Sequence, residues 1–504
     1  MDERPAPPAA DATPWRRLDP KMLVVQPLRE VIRLLPLLAG ILLAGSTTGR
    51  GGLWGLAGAG VAIVVGLLRW YTTTYRVAAG QVQVRRGLLR RETINVPLDR
   101  VRTVDISASP MHRILGLTRV TVGTGQSDLK RDSALRLDGL SAADAERLRA
   151  ELLRRPDRVA APSGAGEEVL AFAPPSWARY GPFTLSGFVT VFVVLGFAWR
   201  ILSEARIDPR RLGPVTAGYR DVAAAPWLGA AVILAVLLAL VAAASTIGYL
   251  LAFWGFRVVR SPDGSLQVAR GLISTRSTTI EERRLRGAEL SEPLLLRLVR
   301  GARLIAIATG LRVGRGAERG GTLLLPPAPR EEAVRVAAAV LRTAEPVAAP
   351  LARHGAAAHR RRYTRVLTAW LVIVVVLLAL SRLTPLPDWT LVASVVLLPA
   401  VAALAFDRYR SLGHALVGRV VVTSRGSLVR RRVMLASDGI IGWNLTRSFF
   451  QRRSGLATLV ATTAAGRQAY PVQDVALDEA VRVADRAVPD LLAPFLVSEE
   501  PDPA

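Results

Sequence analysis

Unbroken apolar runs alternate along this chain with stretches in which polar and apolar residues take turns. The runs lie at Val31 to about Thr47, Leu53 to Leu68, Phe183 to Trp199, Trp227 to about Trp254, Val366 to Leu380 and Trp389 to Phe406. Several fall slightly short of the ~20 residues a spanning helix usually needs, yet they come in pairs and read as helical hairpins. After each pair the period changes to two. In Gln81-Val82-Gln83-Val84, Thr93-Ile94-Asn95-Val96, Val101-Arg102-Thr103-Val104-Asp105-Ile106 and Arg119-Val120-Thr121-Val122, alternate residues are apolar, as half-buried strands require. Each strand-rich stretch closes on one helix-like segment. In the first, Ser141 stands at the N-cap position and Leu148 and Leu152 share a face; the others lie around Arg330 to Leu341 and Leu477 to Ala487.

The strand-rich stretches are copies of one unit. Arg86-Gly87-Leu88-Leu89-Arg90-Arg91 and Gly116-Leu117 return, with no gap between them, as Arg425-Gly426 and Gly455-Leu456. A looser middle copy runs through Arg270-Gly271-Leu272-Ile273 and Gly301. Aligning Gly301 with Gly116 calls for one inserted residue. A repeat this long exceeds a solenoid unit and marks a duplicated domain. The predicted fold class is an α+β membrane protein with six transmembrane helices in three hairpins, each hairpin followed by a small antiparallel β-barrel with a C-terminal helix. The expected boundaries are a disordered N-terminal tail (1–30), hairpin 1 (31–68), module 1 (69–155), a Pro/Gly linker (156–182), hairpin 2 (183–254), module 2 (255–344), a linker (345–365), hairpin 3 (366–406) and module 3 (407–496).

Composition narrows the chemistry. The 504 residues carry a formal charge of +26 and contain no cysteine, which removes disulfides, thiolate metal sites and Cys nucleophiles. The basic excess is almost all arginine, and it clusters at the outer edges of the hairpins: Arg16, Arg17, Lys21 and Arg29; Arg69 and Arg76; Arg257 and Arg260; Arg360 to Arg362; Arg408 and Arg410. Positive charge beside helix ends marks the cytoplasmic side. Both termini and all three modules are therefore expected in the cytoplasm, with the chain multi-pass in the plasma membrane of a prokaryote. Arg206, Arg210, Arg211 and Arg220, in the connecting loop of hairpin 2, run against this but are outnumbered.

Several residues carry a resemblance. They are Gly87-Leu88-Leu89, Pro97-Leu98-Asp99-Arg100-Val101, Leu115-Gly116-Leu117, Asp438-Gly439-Ile440-Ile441-Gly442-Trp443 and Phe449 to Leu459. The tandem of apolar hairpin, strand-rich module and terminal helix resembles the bacterial pleckstrin-homology-like (PH-like) membrane proteins of the YdbT type. The middle copy departs, with Glu281-Glu282-Arg283-Arg284-Leu285-Arg286 in place of the Pro97 segment. The resemblance implies a PH-like barrel with a C-terminal helix in each module, no assigned catalytic residues, and as partners a homo-oligomer or a smaller companion PH-like membrane protein.

No constellation for catalysis, cofactor or metal is apparent. His112, His354, His359 and His414 are scattered, no G-x-S-x-G elbow exists, and Gly310 to Gly316 lacks the Gly-Lys-Ser/Thr ending of a phosphate loop. Asn444-Leu445-Thr446 matches a glycosylation sequon but falls in a strand expected in the cytoplasm. Arg85, Arg86, Arg90 and Arg91, with Arg430, Arg431 and Arg432, are the candidate contacts for anionic lipid headgroups, since a guanidinium fork suits phosphate oxygens. Few aromatics interleave with these arginines, which argues against nucleic acid. The expected function is therefore not enzymatic: a polytopic membrane protein presenting three PH-like modules for binding or scaffolding. The alternative is a transporter or exporter of a lipid-like substrate, since the helix interiors offer almost no ionisable residues for a polar one.

Overall fold

The computed structural model describes residues 14–25, 70–78, 80–87, 92–98, 101, 103–123, 135–153, 166–184, 226–310, 323–384, 387, 389–489 and 491–495, with isolated positions at 60, 64, 67, 68, 196 and 200. The chain is α+β, with several antiparallel sheets and, among the described residues, three long apolar helices. It divides into two compact units, Met1–Val169 with Gly255–Arg284, and Leu170–Trp254 with Leu285–Ala504. The cut passes through the middle copy of the repeat.

In the first unit, β1 (Arg16–Arg17), β2 (Thr74–Ala78), β3 (Gln81–Arg86) and β4 (Glu92–Pro97) form one sheet in that order. A second sheet carries β5 (Thr103–Ala108), β6 (Leu117–Gly123), β7 (Leu135–Ser141), β8 (Glu168–Phe172), β9 (Arg257–Ser261), β10 (Ser265–Arg270) and β11 (Thr275–Glu281), in the order β7-β6-β5-β11-β10-β9-β8. The period-two pattern explains the core. Val82, Val84 and Val96 of the first sheet meet Val104, Val120, Val122, Leu135 and Leu137 of the second. Between β5 and β6 lies the short helix α1 (Pro110–Ile114), and α2 (Ala142–Leu153) follows β7 and adds Leu148 and Leu152 to the same core. The Ser141 hydroxyl accepts from the Asp144 backbone N–H at 3.1 Å, the N-cap expected from sequence.

Residues 14–25 correct the reading of 1–30 as a disordered tail. β1 pairs with β2, Leu18, Met22 and Val25 are buried, and the Trp70 indole N–H donates to the Asp19 carbonyl at 3.2 Å. Burying three apolar side chains, at about 1.5–3 kcal/mol each, offsets the entropy of ordering a short segment.

The second unit holds α3 (Pro226–Phe253), β12 (Leu285–Pro293), α4 (Leu294–Leu298), β13 (Gly301–Ala308), β14 (Leu323–Pro329) and α5 (Arg330–Leu341). After them come α6 (Gly355–Leu383), α7 (Trp389–Val396), α8 (Leu398–Arg410), β15 (Gly413–Val417), β16 (Val420–Arg425) and β17 (Val429–Ala436). The last elements are β18 (Gly442–Thr446), α9 (Phe449–Arg453), β19 (Leu456–Thr462), β20 (Ala469–Ala476) and α10 (Leu477–Ala487). Six strands run in the order β14-β13-β12-β17-β16-β15, and a separate sheet is β18-β19-β20. All the described sheets are open, where a closed barrel was expected of each module. The reason is that β11 pairs with β5 and β17 with β12, so each of these sheets runs on into the next copy of the repeat.

Backbone conformation aligns the three copies without the insertion expected between Gly271 and Gly301. Gly87, Gly271 and Gly426 take φ of 115°, 108° and 99° in the turn between second and third strands, a backbone region that disfavours side chains. Between the short helix and the strand after it, the left-handed position is Gly116 (φ 70°) in the first copy and Gly455 (φ 64°) in the third, but Arg300 (φ 53°) in the middle. Gly301 is therefore the neighbour of the equivalent residue, and its likeness to Gly116 misleads by one place.

Among the described residues, three helical stretches are long and apolar enough to cross a membrane: Leu234–Phe253, Gly355–Leu383 and Trp389–Arg410. Their apolar side chains stay uncovered, as in Leu371, Val372, Ile373, Val375 and Val376, which lipid satisfies and water does not. α6 and α7 are tied by the Trp370 indole N–H to the Ser394 carbonyl at 3.0 Å, and α3 is tied to β14 by the Tyr249 hydroxyl to the Pro327 carbonyl at 2.8 Å. Hairpin 1 and the first arm of hairpin 2 lie almost wholly outside the described residues.

Candidate functional site

Two strand junctions carry the densest polar chemistry. At the first, β11 lies antiparallel to β5 with Thr278 opposite Asp105. The Arg276 guanidinium grips the Asp105 carboxylate with both arms: Nε donates to Oδ1 at 3.1 Å and Nη2 to Oδ2. The Thr278 hydroxyl adds a third donor at 3.2 Å. A bidentate, partly buried pair of this kind sets strand register as well as adding energy.

At the second junction β17 lies antiparallel to β12 with Val433 opposite Glu289. The Glu289 side chain is 3% exposed and has Arg431 and Arg467 each at 3.4 Å. Arg425 stands directly across from Arg431 on β16. Burial lowers the pKa of both Arg425 and Arg431 from the ordinary arginine value, each further lowered by neighbouring cations and partly restored by Glu289. Burial likewise pushes the Tyr470 hydroxyl up to about 12 beside this group. Two cations thus pair with one buried carboxylate, and a third, Arg425, lies within reach of its charge.

The seven arginines singled out from sequence are placed as follows. Arg85 and Arg76 lie over the Trp15 ring at 4.0 and 4.5 Å to its centroid, a cation–π stack. Arg86 pairs with Glu92 at 3.2 Å near the surface. Arg90 and Arg91 lie outside the described residues. Arg430 shares Asp407 with Arg297, each at 3.0 Å, and Arg432 donates to the carbonyls of Pro346 and Ala349 at 3.2 and 2.6 Å. With Arg431 ion-paired to Glu289 at 3.4 Å, all three side chains of this run meet carboxylate or carbonyl oxygens of their own unit. Sequence reasoning missed Asp105, Arg276 and Glu289. The signal was present: at the ungapped spacing of the repeat, Asp105 falls on Glu289, and Arg276 on Arg431.

Comparison with known families follows the same division. The family model of the bacterial PH domain matches residues 25–156 and 366–491, which is more than half of the chain. The chain belongs to the bacterial PH domain family. No curated protein and no solved structure matches it. The middle copy of this bacterial PH domain protein lies outside both matched stretches, in keeping with its departure at Glu281 to Arg286.

A third polar group joins the base of α6 to the last PH module. Asp474, held in the left-handed region at φ 55°, accepts from Arg361 Nε at 2.9 Å, from Gln451 Nε2 at 2.8 Å, and is paired with Arg362 Nη2 at 2.6 Å. Gln451 is itself fixed by a capping box with Ser448 at the start of α9. Two histidines that look scattered in sequence meet beside it. His354 Nδ1 is 2.8 Å from the Gln473 carbonyl, which only accepts, so Nδ1 carries the proton and Nε2 accepts from His414 Nδ1 at 3.0 Å. His414 Nε2 then faces Glu479 at 3.4 Å as the next place for a proton.

This pair makes stability pH-dependent. Burial, and then the neighbouring His414, lower His354 from 6.5 to about 4. Between those values the unfolded chain binds a proton that the folded protein does not, so the contribution is complete above pH 6.5 and is lost as pH falls towards 4. The loss amounts to roughly 3 kcal/mol. The melting temperature followed by tryptophan fluorescence is expected to fall across this window, and His354→Gln, which keeps one donor and one acceptor, to flatten the fall.

Proposed function

We propose that this protein is a multi-pass membrane scaffold of the YdbT type, without catalysis of its own. In this reading six helices in three hairpins hold its PH modules against the cytoplasmic face, where they bind lipid headgroups or a protein partner. The observation that supports the reading best is the extent of the family match. Each matched stretch, 25–156 and 366–491, takes in an apolar pair and the strand module after it, so anchor and module recur as one piece. The uncovered apolar helices and the arginines at the hairpin edges favour the same arrangement. A protease-sensitive tag at the C-terminus tests the orientation: cleavage is expected in inverted vesicles and not in intact cells, and the opposite result removes the reading.

Arg85, Arg86, Arg90 and Arg91 are the headgroup contacts in this proposal, since Arg85 is exposed whereas Arg430 to Arg432 are half-buried. Each contributes about 1 kcal/mol near an anionic surface. The purified protein in nanodiscs is expected to melt higher with anionic than with zwitterionic lipid, and the fourfold Ala variant to lose that difference. An unchanged difference in the variant ends the assignment of these four residues.

A further inference from the structure

Both junctions follow one rule. The third strand of a copy's first sheet, β11 or β17, lies antiparallel to the first strand of the preceding copy's second sheet, β5 or β12. The registers are the same: Asp105 faces Thr278 and Glu289 faces Val433, and these fall on equivalent positions of the repeat. Applied to the outer copies, the rule leaves two strands over. β4 is the third strand of the first copy, and β18 is the first strand of the last copy's second sheet. Among the described residues, β4 pairs only with β3 and β18 only with β19.

Burial separates the used strands from the unused ones. Glu289, Leu290 and Ser291 of β12 are buried, whereas their equivalents Asn444, Leu445 and Thr446 of β18 are all exposed. Thr279 of β11 and Met434 of β17 are buried, whereas their equivalent Asn95 of β4 is exposed. An exposed strand edge is a template for another strand.

The charges fit the same pairing. Where the acidic position faces arginine, it is Asp105 against Arg276 or Glu289 against Arg431. In β4 the arginine position is Glu92, and in β18 the acidic position is Asn444. An acid at 444 would repel Glu92. An asparagine amide donates to it instead.

We propose that β18 of one molecule pairs antiparallel with β4 of a second copy of this chain, placing Asn444 opposite Ile94 and beside Glu92. The contact is head-to-tail, so every molecule keeps one unused edge until a ring closes or a row ends. Fixing all copies in one membrane plane favours it by removing most wrong orientations. The inference rests on strand topology and repeat register, and it stands or falls apart from the headgroup contacts above.

The chain has no cysteine, which permits a clean test. Ile94→Cys and Asn444→Cys are made in two differently tagged full-length chains, reconstituted together and oxidised. Opposed residues of an antiparallel pair have Cα atoms about 4.5–5.5 Å apart, within reach of a disulfide. A mixed-tag disulfide dimer is expected, and little from Gln83→Cys, inside the sheet, mixed with Asn444→Cys. Independently of any cysteine, Asn444→Asp is expected to weaken self-association in sedimentation by about two- to fivefold. Adding Glu92→Arg to it, which recreates the charges of the inner junctions, is expected to restore association. Absence of the mixed dimer together with unaltered sedimentation of Asn444→Asp overturns the proposal. So does cross-linking of either cysteine only to a different protein in native membranes.

Discussion

Asp474→Asn is expected to destabilise the last module by about 3–5 kcal/mol, the range for removing one partner of a buried ion pair. Asparagine tolerates the left-handed φ of 55°, so the backbone does not confound the result. What is lost is the charge facing two guanidinium groups. Arg362 suffers most, since its side chain is 3% exposed and its Nε has no acceptor among the described residues. Arg361 is less buried and also reaches the Ser448 hydroxyl at 3.4 Å, a weak substitute. Thermal unfolding read by tryptophan fluorescence measures the loss. Asp474→Asn combined with Arg362→Met is expected to be more stable than Asp474→Asn alone, because the orphaned cation is removed as well. A double variant no better than the single one would locate the cost elsewhere.

Glu289→Gln ranks second. It leaves Arg425, Arg431 and Arg467 around a neutral group, with Arg425 directly across the strand pair from Arg431. The loss is expected at about 2–4 kcal/mol, below the full range for a buried pair, because about a third of the Arg431 and Arg467 side chains remains in water. Raising the salt concentration is expected to recover part of it by screening the cations. In a double-mutant cycle with Arg431→Gln, a coupling near zero would show that the carboxylate does not hold these strands in register.

Much of the fold is legible in the sequence. Strict alternation identified the strands because each faces a core on one side only. The terminal helices, around Arg330 to Leu341 and at Leu477 to Ala487, are legible as the helix-like segment that closes each strand-rich stretch. Strand neighbours were not legible. Alternation says which face is buried and nothing about which edge is paired, so β5 with β11 and β12 with β17 follow only from the structure. The Arg430 to Arg432 run reads as a surface cluster because β17 carries three charges in a row; its place between β16 and β12 leaves them half-buried. His354 and His414 are 60 residues apart, and the turn of chain that joins them leaves no local mark. The reverse error occurred at Gly301, where residue identity suggested an equivalence that backbone geometry assigns to Arg300.

Strands shared between neighbouring copies change what can be cut from this chain. Excising any copy at its sequence limits would strip a hydrogen-bonded row from the piece and from its neighbour, leaving raw edges prone to clump. Scissors placed between Arg284 and Leu285, midway through the second copy, would part no strand pair described above. The unit of sequence repeat and the compact unit of structure therefore do not coincide. Gain or loss of a whole copy by recombination would preserve the pairing scheme wherever both breakpoints fall at the same point of the repeat.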